Sequence, residues 1–261
     1  MASFDIINAA GNSYSSLWQE RHYLLRLALV PIVVKFICFI IIFSLNIEDN
    51  HVQSALILIP SYFVEGWMLS HWVRWIALGQ KWPFIPKGDE AKDLAELNDR
   101  ARGVLSGTIV YVLLQMIVSG IWATSTMMPM SEEVASNPPP ELQILSIIGI
   151  VFILWSFRYL WIFLPAAVNY SLWQYVKDTG YPFLSLRMLA VWLVCCVPGF
   201  VIMLSFTLPV LLSENPDIPA VMQFIAAGVH VTLEVVLNLL AVGGMAYGLK
   251  DMYARKSKGI Q

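Results

Sequence analysis

The sequence predicts an all-α fold: a polytopic six-helix transmembrane bundle with its N-terminus and C-terminus both cytoplasmic. Three observations predict it. Apolar residues fill 58% of the 261 positions and charged residues only 13%, about half the charged share usual in a soluble domain. The mean hydropathy of +0.67 reflects an excess spread along the whole chain. Six stretches reach the roughly 20 mostly apolar residues needed to cross the hydrocarbon core. Finally, Lys and Arg occur only in alternate loops.

The six spans are read as 23–45, 52–78, 104–127, 142–168, 184–212 and 218–249. A cytoplasmic or interfacial segment, 1–22, precedes them. A cytoplasmic loop, 79–103, separates spans 2 and 3, and a basic tail, 250–261, follows span 6. Span 2 is the least uniform, because Glu65, His71 and Arg74 interrupt it. Reading it instead as an interfacial amphipathic segment would break the charge alternation.

That alternation sets the sidedness. The loops after spans 1, 3 and 5 carry Glu48, Asp49, Glu132, Glu133, Glu141, Glu214 and Asp217, with no Lys or Arg. The opposite side holds Arg21, Arg26, Lys81, Lys87, Lys92, Arg100 and Arg102. It continues with Lys177, Arg187, Lys250, Arg255, Lys256 and Lys258. Basic residues stay on the cytoplasmic face, and Trp18, Trp82, Trp173 and Tyr181 fall at boundaries where aromatics anchor. The triplet Asn169-Tyr170-Ser171 lies on that face, so it is not read as glycosylated. Span 1 opens after residue 22, with no basic leader before it and no cleavage site after it, so it is expected to be retained.

The function classes narrow accordingly. A net charge of −2 gives no basic character to attract nucleic acid. Cys38, Cys195 and Cys196 all sit in apolar stretches, as small buried hydrophobes do. Neighbouring Cys195 and Cys196 could not pair without strain, and no Cys/His metal spacing occurs. No Gly-rich phosphate loop or nucleophile elbow is present. No cofactor, metal or catalytic residue is assigned, and the chain is read as leaning away from an enzyme.

Outside the spans, Phe4, Ile7, Tyr14 and Trp18 recur at helical spacing. They suggest either a helix lying in the membrane interface or a frayed terminus. In the largest loop, the prolines of Trp82-Pro83-Phe84-Ile85-Pro86 exclude a regular helix. Asp89 then reads as an N-cap for a polar helix over 90–102. Pairs Lys92–Glu96 and Glu96–Arg100 at four-residue spacing support it, and Leu94, Leu97 and Ala101 form its apolar stripe. This stretch reads as a charged lead-in to span 3, or as a docking helix for a cytoplasmic protein partner or anionic lipid. The run Asn137-Pro138-Pro139-Pro140 favours an extended spacer.

Short echoes suggest three hairpins in series. Trp82-Pro83-Phe84 recurs as Tyr181-Pro182-Phe183. Ser16-Leu17-Trp18-Gln19 recurs as Ser171-Leu172-Trp173-Gln174, each followed by an Arg-led helix. Interfacial anchoring alone produces similar echoes. Ser16-Leu17-Trp18-Gln19 leading into Arg26-Leu27-Ala28-Leu29-Val30-Pro31, together with this layout, resembles uncharacterised six-helix bacterial inner-membrane proteins. These are similar in layout to the membrane domain of glycerophosphodiester phosphodiesterases. The motif covers about 16 residues and the layout most of the chain. The resemblance implies a bacterial inner membrane. It carries no catalytic residue over, since this chain has no soluble phosphodiesterase domain.

The candidate site is an intramembrane polar network: Lys35, Glu65, His71, Arg74, Arg158, His230, Glu234 and Asn238. A charge at the bilayer centre costs roughly 2.5–3.5 kcal/mol on insertion scales, so these groups need partners or water. At about 1.5 Å per residue, Lys35 lies roughly 15 Å and Glu65 roughly 20 Å below the outer face, close enough to pair. Arg158 and Glu234 share a depth of roughly 23–24 Å, which suggests a second pair. Arg74 is nearer the cytoplasm and can snorkel or share the carboxylates. His230, Glu234 and Asn238 make one stripe at four-residue spacing, expected to face the bundle interior or a wet cavity. Gly243-Gly244 beside Ala241 reads as a close helix contact.

Three readings of the network remain open. It joins helices structurally, consistent with a non-enzymatic role in envelope assembly or lipid homeostasis. Alternatively, Glu65 or Glu234 carries a proton or solute in a small transporter or channel. The third reading is an intramembrane metal-dependent enzyme, with His71, Glu65, His230 and Glu234 as ligands.

Overall fold

The computed structural model describes residues 4–47, 50–127, 140–211 and 220–257. Glu48, Asp49, Glu132, Glu133, Glu214, Asp217, residues 137–139 of the proline run and Lys258 lie outside the described residues, as do the side chains of Glu141 and Lys256. Among the described residues every regular element is helical. They are α1 (Ile6–Gln19), α2 (Arg21–Ser44), α3 (His51–Leu78), α4 (Glu90–Met127) and α5 (Pro140–Ser156). A 3-10 segment (Phe157–Trp161) follows, then α6 (Phe163–Ala167), α7 (Leu172–Asp178), α8 (Pro182–Leu211) and α9 (Ala220–Ser257). Six of these stretches are long and apolar enough to cross a membrane. The chain is a multi-pass α-helical membrane protein.

Two spans are longer than hydropathy alone suggested. The polar stretch before span 3 is continuous with it, so α4 begins at Glu90. The helix-forming Ala, Lys, Leu, Glu and Arg residues there give no reason to stop. Likewise α9 runs on into the basic tail as far as Ser257. The Asp89 carboxylate accepts from Lys92 N at 3.3 Å, the expected N-cap. Lys92, however, pairs with Asp89 at 2.8 Å and not with Glu96. Glu96 is held by Lys87 at 3.0 Å and by Arg100 at 3.5 Å.

Span 4 is broken. α5 ends at Ser156, the backbone tightens through the 3-10 segment, and α6 restarts it. Pro165 accounts for the break, because its ring would collide with the carbonyl of Trp161 and it offers no N–H. The second expected hairpin is therefore closed only at one end. α4 packs on α6, whereas α5 leans on α8.

α3 is the hub, in contact with α2, α4 and α9. Most of its second half is buried, including Ser61, Met68, Leu69, Trp72, Val73 and Ile76. The Trp72 indole donates to Leu239 O of α9 at 3.0 Å. α3 stops at Gly79, whose left-handed φ of 70° suits a residue without a Cβ.

Residues 6–19 form a capped, docked helix. Asp5 caps α1 by accepting from Ile7 N and Asn8 N. Ile7 and Trp18 stay on its exposed face, as in an interfacial helix. The opposite face, Ala9, Ala10, Ser13 and Ser16, is buried against α9 and α8. Small residues permit this close approach. A Cβ at Gly243 would run into Ser13 Oγ, one at Gly244 would lie 2.8 Å from Cys195 Sγ, and one at Gly248 would lie 3.0 Å from Phe4. Ser13 donates to Leu240 O at 2.7 Å and Tyr14 to Cys195 O at 2.9 Å. The Gly243-Gly244 pair is thus a close helix contact, made with the N-terminal helix on one side and α8 on the other.

This docking generates a test. Gly243→Val should lower unfolding free energy in detergent by about 1–3 kcal/mol through overpacking. Gly120→Val, where an added Cβ meets nothing within 4 Å, should leave the melting temperature nearly unchanged. Equal melting of the two variants would remove the α1–α9 contact from the account.

Candidate functional site

The core-facing stripe of α2 is Leu24, Leu27, Ala28, Pro31, Lys35, Cys38 and Ile42. Six of the seven are apolar or small, and the seventh is a lysine. Lys35 is 4% exposed and Glu65 2% exposed. Lys35 Nζ lies 3.4 Å from Glu65 Oε2 on α3, the contact that depth matching anticipated. It lies closer still, 2.6 Å, to Glu234 Oε1 on α9. The Asn238 amide, one turn along from Glu234, donates to Glu65 Oε1 at 2.6 Å. One ammonium and one amide thus tie α2, α3 and α9 at a single level.

The cluster contains one cation and two carboxylates. Both oxygens of Glu65 are engaged, one by Lys35 and the other by Asn238, and the Tyr111 hydroxyl of α4 also bonds this carboxylate. Glu234 differs, since its side chain is 37% exposed. Chemically, Lys35 is a fixed counter-charge, Glu65 a locked acceptor, and Glu234 the one carboxylate open to exchange with its surroundings.

Arg158 does not pair with Glu234. It lies in the 3-10 segment, which packs on α8 and α5, while Glu234 is turned toward α2. Its guanidinium donates to Thr179 O at 2.7 Å and to Tyr159 OH at 3.1 Å. It also stacks over the rings of Trp155 and Tyr159, at 4.5 and 4.8 Å. Arg74 neither snorkels to solvent nor reaches the two glutamates. It is buried, donates to Ala167 O at 2.9 Å and to Gln80 Oε1, and pairs with Asp99 of α4.

The two histidines separate. His71 is buried, edge-on to Trp67 with centroids 4.9 Å apart and 6.2 Å from the Trp82 ring. His230 is exposed on the bundle surface, edge-on to Phe39 at 6.3 Å. The expected inward stripe therefore begins at Glu234. Among the described residues no three His, Cys, Asp or Glu side chains gather where they could hold a metal ion.

No protein-family model, curated protein or solved structure matches this chain.

Sequence reasoning missed a second polar node. Asp99, on the extended start of α4, accepts from Arg74 and from Asn169 Nδ2 at 2.7 Å. Asn169 has a positive φ of 58°, a conformation Asn tolerates better than most residues. In the sequence its triplet matches only a glycosylation signal, discounted for its cytoplasmic position, and nothing in the pattern points to Asp99. Tyr175 also went unnoticed. Its hydroxyl donates to Arg158 O at 2.7 Å, so α7 is latched onto the 3-10 break.

The Arg74 node predicts a specific non-equivalence. Arg74→Met should destabilise the bundle by ~1–3 kcal/mol by orphaning buried acceptors. Arg74→Lys should recover little of it, since an ammonium cannot reproduce the fork. Unfolding in mixed micelles, followed by tryptophan fluorescence, measures both. Full recovery by lysine would show that charge alone matters there.

Proposed function

We propose that this chain is a non-enzymatic protein of a bacterial inner membrane, with both termini cytoplasmic, acting in envelope assembly or lipid homeostasis through helix packing and partner binding. The observation that carries the reading is the state of Lys35. Its ammonium is committed to carboxylates on two other helices, and Arg74 and Arg158 are committed to backbone carbonyls and nearby polar groups. Groups held this way join helices and are not poised to turn over a substrate.

The location rests on two supports. Lys81 meets Glu20 at 2.7 Å, Lys250 donates to Ile76 O and Arg187 to Phe4 O. The basic loops thus assemble at one end of the bundle, and such an end faces the cytoplasm. The second support is the resemblance, read from the sequence alone, of the stretch from Ser16 to Pro31 to six-helix inner-membrane proteins. At the same end Ile85, Leu94 and Leu97 are exposed, so loop 79–103 offers an apolar edge for a protein partner. A cysteine introduced at Lys87 should label only with reagents that reach the cytoplasm. Labelling from outside intact cells would invert the orientation.

A second reading is kept for one observation, the 37% exposure of Glu234. A half-open carboxylate beside a fixed lysine is also what a proton or solute path would use. Proteoliposomes carrying a pH-sensitive dye separate the two readings. The scaffold reading expects proton flux no faster than in empty liposomes, for the native chain and for Glu234→Gln. Flux above that baseline that Glu234→Gln abolishes would replace scaffolding by transport.

A further inference from the structure

α2 carries a second pattern, on the face opposite its core stripe. His22, Arg26, Leu29, Val33, Phe36 and Ile37 recur at three- and four-residue spacings, so they share one side of the helix. His22, Arg26, Leu29, Val33 and Ile37 are exposed and Phe36 is half-buried. The stripe is polar at the basic end and apolar beyond it.

Its two parts border two concavities. At the basic end Gln19, His22, Tyr23, Arg26, Trp82 and Pro83 line a cleft of about 350 Å³. Glu20 also lines it, but both its oxygens are held by Lys81 at 2.7–2.8 Å. Arg21 is turned away, donating to Trp18 O and stacking on the Trp18 ring. Among the described residues Arg26 and His22 have no hydrogen-bond or ion-pair partner. The cleft therefore holds one uncompensated guanidinium and an imidazole beside it. Farther along, Val33, Phe36 and Ile37 of α2 face Gly228, Val229 and Leu233 of α9 across a groove of about 560 Å³. Gly228 keeps that groove open, since an added Cβ would meet only Phe36, at 3.8 Å.

We propose that cleft and groove together bind one anionic phospholipid, its phosphate on Arg26 and His22 and one acyl chain between α2 and α9. Arg26 and Ile37 are 11 residues apart, roughly 16 Å along the helix, which is the reach of an acyl chain from its headgroup. The charge fits as well. A phosphodiester with an uncharged headgroup carries one negative charge, matching Arg26. In a choline lipid that charge is already cancelled. Exposed Trp18 and Trp82 flank the cleft at the level where indoles meet headgroups. The site stands apart from the Lys35 cluster and holds whether the bundle scaffolds or conducts.

The test uses the full chain in a nonionic detergent, with bound lipid read by native mass spectrometry. Long-chain phosphatidylglycerol should form a 1:1 adduct at several-fold lower concentration than phosphatidylcholine. His22→Gln with Arg26→Gln should weaken that adduct at least about fivefold, the loss expected for the one guanidinium. Gly228→Leu should weaken the long-chain adduct and spare dihexanoyl phosphatidylglycerol. Arg26→Lys, which keeps the charge, should keep the preference, and it carries the test if the glutamine variants do not fold. Equal binding of the two lipids, or native-like binding by the double glutamine variant, would overturn the proposal. So would displacement of the lipid by millimolar inorganic phosphate, which would make the cleft a site for free anions.

Discussion

A single buried ammonium sets the constraint around which the bundle is arranged. Lys35 sits in the middle third of α2, on its core face, where an unpaired charge is costly. Its desolvation is offset only if carboxylates from other helices arrive at the same depth. Glu65 and Glu234 do, and Asn238 donates to the other oxygen of Glu65. Sliding α3 or α9 by one turn would move these groups about 5.4 Å and break the cluster. Lys35 therefore fixes register among three helices, a use for buried polar groups that is better attested than net stabilisation.

The basic end extends the same logic with backbone acceptors. Where span 4 breaks ahead of Pro165, carbonyls are freed, and arginines take up nearby ones: Arg74 reaches Ala167 O and Arg158 reaches Thr179 O. α1 closes this end by laying its small-residue face on the glycines of α9. Toward the other end the packing opens. A crevice of about 710 Å³ separates α3, α4 and α5, lined by Leu58, Tyr62, Val118 and Phe152 among others. Among the described residues the polar ties between helices thus gather at the Lys35 level and at the basic end.

Much of this was legible in the sequence, and the physics of each signal explains where it stopped. Hydropathy and charge alternation are properties of composition along one axis, so they located all six spans. Depth counting is also axial, which is why it matched Lys35 with Glu65. It carries no information about rotation around the bundle. Arg158 and Glu234 share a depth but point to different neighbours, so that expected pair does not form. The same blindness placed His230 inward, although α9 presents it to the surface. Asp99 was hidden because it belongs to a stretch too polar to count as membrane, yet it continues α4 and meets Arg74 from outside. The docking of α1 left a trace only in the glycines of α9, whose partner no local pattern named.

The central claim is that Lys35 is shared by Glu65 and Glu234. A mutant cycle in lipid bicelles tests it most directly. Lys35→Met alone should destabilise the bundle by ~3 kcal/mol, chiefly the penalty for stranding the buried Glu65 carboxylate. Adding Glu65→Leu should recover part of that loss, and adding Glu234→Leu as well should recover most of the remainder. Additive losses along the series would contradict the account and reduce the cluster to three independent side chains.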